Sequence, residues 1–106
     1  MVVVIFRSRL REASDSEYGE RFARLLELAR SMPGFVSFRR YGAEDGERLA
    51  LVEFESLEAL DGWREHPEHL EAQRLGRERF YEWYDLTVCE TVRAYSFDGE
   101  RRTERA

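Results

Sequence analysis

Two runs of seven residues, FVSFRRY at 35–41 and RLALVEF at 48–54, are separated by only six residues, GAEDGE. No other stretch restricts the fold as strongly. Both runs are rich in aromatic, aliphatic and β-branched side chains, which suit a pleated sheet. Asp45-Gly46 sits between them, and glycine adopts positive φ at no steric cost, so the link reads as a tight hairpin turn. The two strands are therefore antiparallel neighbours. At 106 residues the chain has room for one domain, so whatever flanks that pair must pack on it.

Upstream, residues 2–10 (VVVIFRSRL) read as a strand whose later half alternates, with Arg7 and Arg9 on one side. Phe22, Leu25, Leu26 and Ala29 then recur at helical spacing, with Ser14 or Ser16 as the cap and Met32-Pro33-Gly34 as the stop. Downstream, Ser56 opens a short helix carrying Leu57, Leu60 and Trp63, and Pro67 begins a second. Gly76 weakens that second helix and permits a close approach. Residues 80–97 read as one long last strand, with Tyr84, Leu86, Val88 and Val92 on one face and Trp83, Thr87 and Cys89 on the other.

The order is β-α-β-β-α-β with the second helix broken in two. That is an α+β, ferredoxin-like split βαβ plan, with one antiparallel sheet and helices on one face. Residues 1–97 form the domain, and DGERRTERA at 98–106 reads as a charged, disordered tail. Apolar and aromatic side chains on both faces of the strands predict a homodimer, in which a second copy covers the helix-free face.

Net charge is −5, and the 17 basic residues are all arginine, interspersed with 22 acidic ones. A nucleic-acid grip needs a positive face, so no nucleic-acid partner is expected. The lone Cys89 rules out an internal disulfide and reads as a small core hydrophobe. The apolar start MVVVIF is too short for a signal peptide or a membrane helix, so no membrane partner and a cytoplasmic location are expected.

Both histidines and one of the two tryptophans lie in WREHPEH, residues 63–69. Metal binding would need a third ligand at a diagnostic spacing, and none is present, so no metal is assigned. No glycine-rich phosphate loop or G-x-S-x-G elbow is present either. Two readings remain open: helix-boundary and core residues, or an aromatic pocket with polar groups. In the second, Trp63 joins Tyr81, Trp83 and Tyr84 from the start of the last strand around a flat organic ligand. His66 precedes Pro67 at a helix boundary, whereas His69 lies one turn in, on the face of Gln73 and Gly76.

The run W-x-x-H-P-x-H-x-x-A-x-x-x-G-R at 63–77, with MPGF at 32–35, LALVEFES at 49–56 and FYEWYDLTVCE at 80–90, resembles the antibiotic biosynthesis monooxygenase domain family. The resemblance spans residues 2–97. It implies a dimeric α/β barrel made of two ferredoxin-like subunits. It also implies a monooxygenase that works with O₂ and no cofactor on a small aromatic quinol, phenol or anthrone. Trp63 matches the family's tryptophan on the split helix. The haem-binding histidine of one branch falls near Gln73. The asparagine of the quinone-forming branch falls near Ala59 or Leu60, and this chain has no asparagine.

Such chemistry requires a group to take the substrate proton, with His69, His66 and Tyr84 as candidates, and a histidine base predicts a rate profile titrating near ~6.5. Arg7 or Arg77 would stabilise the resulting anion. Trp63, Phe80 and Tyr81 would wall off bulk water. The alternative is a non-catalytic dimer of the same fold that binds a small aromatic molecule.

Overall fold

The structure is a computed structural model that describes residues 1–12, 15–99 and 102–105. Strand β1 (Val2–Leu10) leads to helix α1 (Asp15–Ser31), then to strands β2 (Phe35–Gly42) and β3 (Arg48–Phe54). Helices α2 (Leu57–Arg64) and α3 (Pro67–Leu75) follow, and a π-helical turn (Gly76–Phe80) delivers the chain to β4 (Tyr81–Glu90). The cap expected at Ser14 or Ser16 lies outside the described residues and side chains.

The hairpin forms where Asp45-Gly46 predicts it. Gly46 has φ 91, its N–H donates to the Ala43 carbonyl at 3.1 Å, and Asp45 Oδ1 accepts from the Glu47 N–H at 2.9 Å. At the end of α1, Gly34 turns the chain with φ 82. A Cβ there would stand 2.5 Å from that of Ala59, so glycine also lets α2 sit close.

The sheet order is β2-β3-β1-β4, with every neighbouring pair antiparallel. This is the split βαβ plan: β1 and β2 run parallel with β3 between them. The barrel implied by the family resemblance is not what this chain forms. Among the described residues its sheet is open, with β2 and β4 as its edges. Four strands are too few to curl round and enclose a filled interior.

The pleat divides the side chains. Val2, Val4, Phe6 and Ser8 face the helices, and Val3, Ile5, Arg7 and Arg9 face away. The last strand stops at Glu90 and does not run to residue 97. Its final rung is the Thr91 N–H on the Met1 carbonyl at 2.9 Å, and β1 offers no partner beyond that point. Residues Ala94–Phe97 form β5, which pairs antiparallel with β6 (Arg102–Arg105) in a separate two-stranded ribbon. β5 takes the end of the stretch read from sequence as the long last strand, and β6 falls within residues 98–106, read as a disordered tail.

The core is in two parts. One gathers Val2, Val4, Ala29, Phe54, Leu60 and Trp63 where α1 ends. The other gathers Tyr18, Leu75 and Phe80 where α1 begins. Among the described residues, no helix is long and apolar enough to cross a membrane.

Candidate functional site

A cavity of about 350 Å³ lies between the two core clusters, under the helices and over the sheet. That volume falls in the range that holds small organic ligands. Val4, Phe6, Phe22, Phe38 and Trp63 line it, with Leu86 and Val88, 50% and 41% exposed, on its β4 side.

At one end stands His69. It projects from the first turn of α3, and its ring stacks on Trp63 with centroids 4.6 Å apart and planes 19° apart. Trp63 is 6% exposed, so it is both core and cavity wall. Among the described residues, no group hydrogen-bonds the buried Nδ1 of His69. Burial pushes the imidazole's pKa below its ordinary 6.5, and the carbonyls of Arg64 and Trp63 oppose this more weakly. The neutral ring is thus the resting form near neutral pH, able to accept a proton.

His66 does different work. Its Nδ1 accepts from the Glu68 N–H at 3.1 Å and caps α3, with Pro67 at the first helical position. It does not line the cavity. Among the described residues, no three His, Cys, Asp or Glu side chains gather as metal ligands.

The other end is built by the π-helical turn. Its extra residue re-aims the chain into β4, so that Phe80 and Tyr81 meet Tyr18 of α1. Arg11 fastens this turn by donating to the carbonyls of Tyr81, Glu78 and Arg77 at 3.0, 3.0 and 3.4 Å. Gly76 is what permits the packing, because a Cβ there would stand 2.9 Å from the Tyr81 ring. The Tyr81 hydroxyl donates to that of Tyr18 at 3.3 Å, and burial pushes the Tyr81 phenol far above its ordinary range. Tyr81 is therefore a hydrogen-bond donor. Tyr84 stacks on Phe6 at 5.3 Å and lines the cavity.

The structure thus brings Trp63, His69, Phe80, Tyr81 and Tyr84 to one cavity. The two arginines named from sequence are elsewhere. Arg7 is on the helix-free face, clamped to Glu47 by two 2.8 Å hydrogen bonds and lying over Trp83. The register explains this: Phe6 faces the cavity, so its neighbour cannot. Arg77 is exposed and does not line the cavity. The arginines that do are Arg21, Arg40, Arg48 and Arg64, and Ser8, Tyr18 and Gln73 join them. Tyr18 was legible as the residue one turn before Phe22 on the apolar stripe. Arg48 required the strand register.

Fold and site together define a ferredoxin-like domain with an aromatic, ligand-sized cavity and a histidine whose Nδ1 is buried at its wall. The sequence profile of the antibiotic biosynthesis monooxygenase family matches residues 1–75, and the chain belongs to that family. It is 34% identical over 94 residues to YqjZ of Bacillus subtilis (strain 168), an uncharacterized protein, covering 89% of this chain and 82% of that one. Among solved structures it resembles Rv0793 from Mycobacterium tuberculosis, with TM-score 0.75, 25% identity, and 86% and 94% of the two chains covered. The fold is shared with SnoaB, a cofactor-independent oxygenase from Streptomyces nogalater, with TM-score 0.71, 16% identity, and 85% and 91% covered.

Proposed function

We propose that the protein is a cofactor-independent monooxygenase that oxidises a small aromatic substrate of quinol, phenol or anthrone type with O₂. The observation that carries this is His69: a half-buried imidazole stacked on Trp63 at the wall of an aromatic cavity, its buried Nδ1 without a hydrogen-bond partner among the described residues. Family membership and the SnoaB fold support the same reading.

The chemistry runs on the substrate's own electrons. Neutral His69 takes a proton from an acidic phenol or benzylic C–H, leaving an anion delocalised over the ring system. That anion gives one electron to O₂, and the radical pair combines into a carbon-bound peroxide. His69 returns its proton to the peroxide anion, and loss of water, with the hydrogen on the same carbon, leaves a carbonyl, so one oxygen atom enters the product and the other leaves as water. Tyr81 and Tyr18 supply hydroxyls, and Tyr84, Phe6 and Trp63 hold the ring and exclude water from the intermediates.

The test is oxygen-electrode turnover of an anthrone and a hydroquinone by the parent, His69→Ala and His66→Ala proteins. The expected result is turnover by the parent, slowed about 10²-fold or more in His69→Ala, the scale of lost acid–base help. His66→Ala should stay close to the parent rate. Unchanged rates in His69→Ala would remove histidine from the mechanism. Tight binding of the aromatic without O₂ uptake would point to the non-catalytic binding protein instead.

A homodimer belongs to the same proposal. The helix-free face carries Val3, Ile5 and Leu51 in adjacent register positions, and Tyr95 and Phe97 of β5 stand out at 59% and 77% exposed. A second copy of the chain is the partner these surfaces favour.

A further inference from the structure

The chain is acidic overall, with 22 carboxylate side chains against 17 arginines, yet among the described residues the cavity is lined by four arginines and by no Asp or Glu. Two of the four have a carboxylate beside them: Arg64 has Asp61 at 3.2 Å, and Arg21 has Glu17 at 4.0 Å, which it shares with Arg79. Arg40 and Arg48 differ. Among the described residues, neither forms an ion pair. Each guanidinium instead lies over an aromatic ring of α1, Arg40 over Phe22 at 4.6 Å and Arg48 over Tyr18 at 5.4 Å. A guanidinium held over a ring without a carboxylate keeps N–H donors for a ligand. Most other arginines near a carboxylate have taken one, including Arg7, Arg9, Arg24, Arg74 and Arg79.

Position gives the pair its meaning. Arg48 sits opposite Ser8 in the register, and Ser8 is opposite Tyr84, so Arg48 belongs to the tyrosine end. Arg40 is one rung along, opposite Ala50, which is opposite Phe6. Trp63 packs at the Val4 end, with His69 on its face. Four residues of strand separate Val4 from Ser8, roughly 13 Å, about the length of a ligand of two or three fused rings. A ligand whose reacting carbon meets His69 therefore presents its far end to Arg48 and Arg40.

We infer that the cavity selects aromatic ligands carrying a carboxylate at the end remote from the reacting position, held by Arg48 and Arg40. The planar fork of arginine matches a carboxylate through two parallel hydrogen bonds. The Tyr18 and Tyr81 hydroxyls and Ser8 stand beside it as further polar partners. This rests on the cavity being the aromatic site proposed above, and it fixes the substrate class within that reading.

The test is calorimetric binding of two ligands that cannot be oxidised, anthraquinone-2-carboxylate and its carboxamide, with an anthraquinone sulfonate as a third arm. The parent should bind the acid about tenfold or more tightly than the amide at low salt, the scale of a charge-assisted bidentate pair. Arg48→Gln should bring the ratio close to one, and Arg40→Gln should lower it without abolishing it. Arg39→Gln, which removes the same charge from the helix-free face, should leave it unchanged. Equal affinity for acid and amide in the parent overturns the inference. So does an unchanged ratio in both Arg48→Gln and exposed Arg40→Gln, or an equal fall in Arg39→Gln. A sulfonate bound as tightly as the carboxylate overturns the carboxylate assignment. Absence of O₂ uptake with the anthrone and the hydroquinone, with the acid preference intact, would sink the oxygenase reading and leave this one standing. Binding of neither ligand overturns both.

Discussion

His69 and His66 are three residues apart and have different fates, decided by which atoms the helix end occupies. His66 spends Nδ1 on the Glu68 N–H, so His66→Ala removes a cap and should lower stability by about 1 kcal/mol, read from a urea midpoint. His69 lies against Trp63 with its pKa depressed by burial. Two consequences follow from that direction. The acid limb of the parent rate profile should fall below the ordinary 6.5, not at it as the sequence alone suggests. Stability should also depend on this group. Below 6.5 the unfolded chain takes up a proton that the folded chain resists, so stability is complete above that value and is lost as pH falls through the folded-state pKa. Urea midpoints followed from about pH 8 to about pH 5 should decline, and His69→Gln should flatten the decline. A decline of equal steepness in the variant would show that other groups cause it. WREHPEH made both histidines visible as candidates. It did not show that one nitrogen was taken, because capping depends on the backbone angle before Pro67.

At the scale of elements, the junction from α3 to β4 shapes the cavity's polar end. The π-helical turn, the Arg11 clasp on its carbonyls and the missing side chain at Gly76 together fix Tyr81 against Tyr18. Gly76→Ala pushes a methyl into the Tyr81 ring and should destabilise the fold by about 1–3 kcal/mol, the usual scale of overpacking. It should also weaken aromatic ligand binding, because the ring it displaces lines the cavity. A Gly76→Ala protein with parent stability and parent affinity would contradict this account of the junction. The β2–β3 hairpin, the Ser56 cap and the split second helix were all readable from local signals: Asp45-Gly46, a serine before an apolar helix, and Pro67. Gly76 was readable as a site of close approach, but its partner was not. The π-helical turn carries no sequence signature, since an inserted residue changes only the hydrogen-bond offset. The end of β4 at Glu90 was hidden for another reason. It depends on where β1 begins, and apolar patterning continues past it through Val92.

At the scale of the molecule, strand order and helix side followed from element order, whereas the open sheet did not. A sheet of four strands leaves β2 and β4 as its edges, and family resemblance speaks of assemblies that one chain does not contain. The site was legible in its aromatic wall and not in its charges. Arg7 was a candidate to stabilise the anion, but one step along a strand moves a side chain to the other face. Arg40 and Arg48 enter only through register. If the helix-free face is an interface between copies, sedimentation equilibrium at low micromolar concentration should give twice the 12.6 kDa chain mass. The interface should bury about 1,200 Å² or more. A monomer mass would leave the Val3, Ile5 and Leu51 face without its proposed cover. The account rests most heavily on the claim that the space between the two core clusters holds an aromatic substrate against His69. A crystal structure of the protein soaked with anthraquinone tests this directly. The predicted result is the ring system in the cavity beside Phe6 and Trp63, with a quinone oxygen within about 3 Å of a His69 ring nitrogen. Ligand density confined to other surfaces, with Trp63 and Phe80 closed over the space, would contradict it.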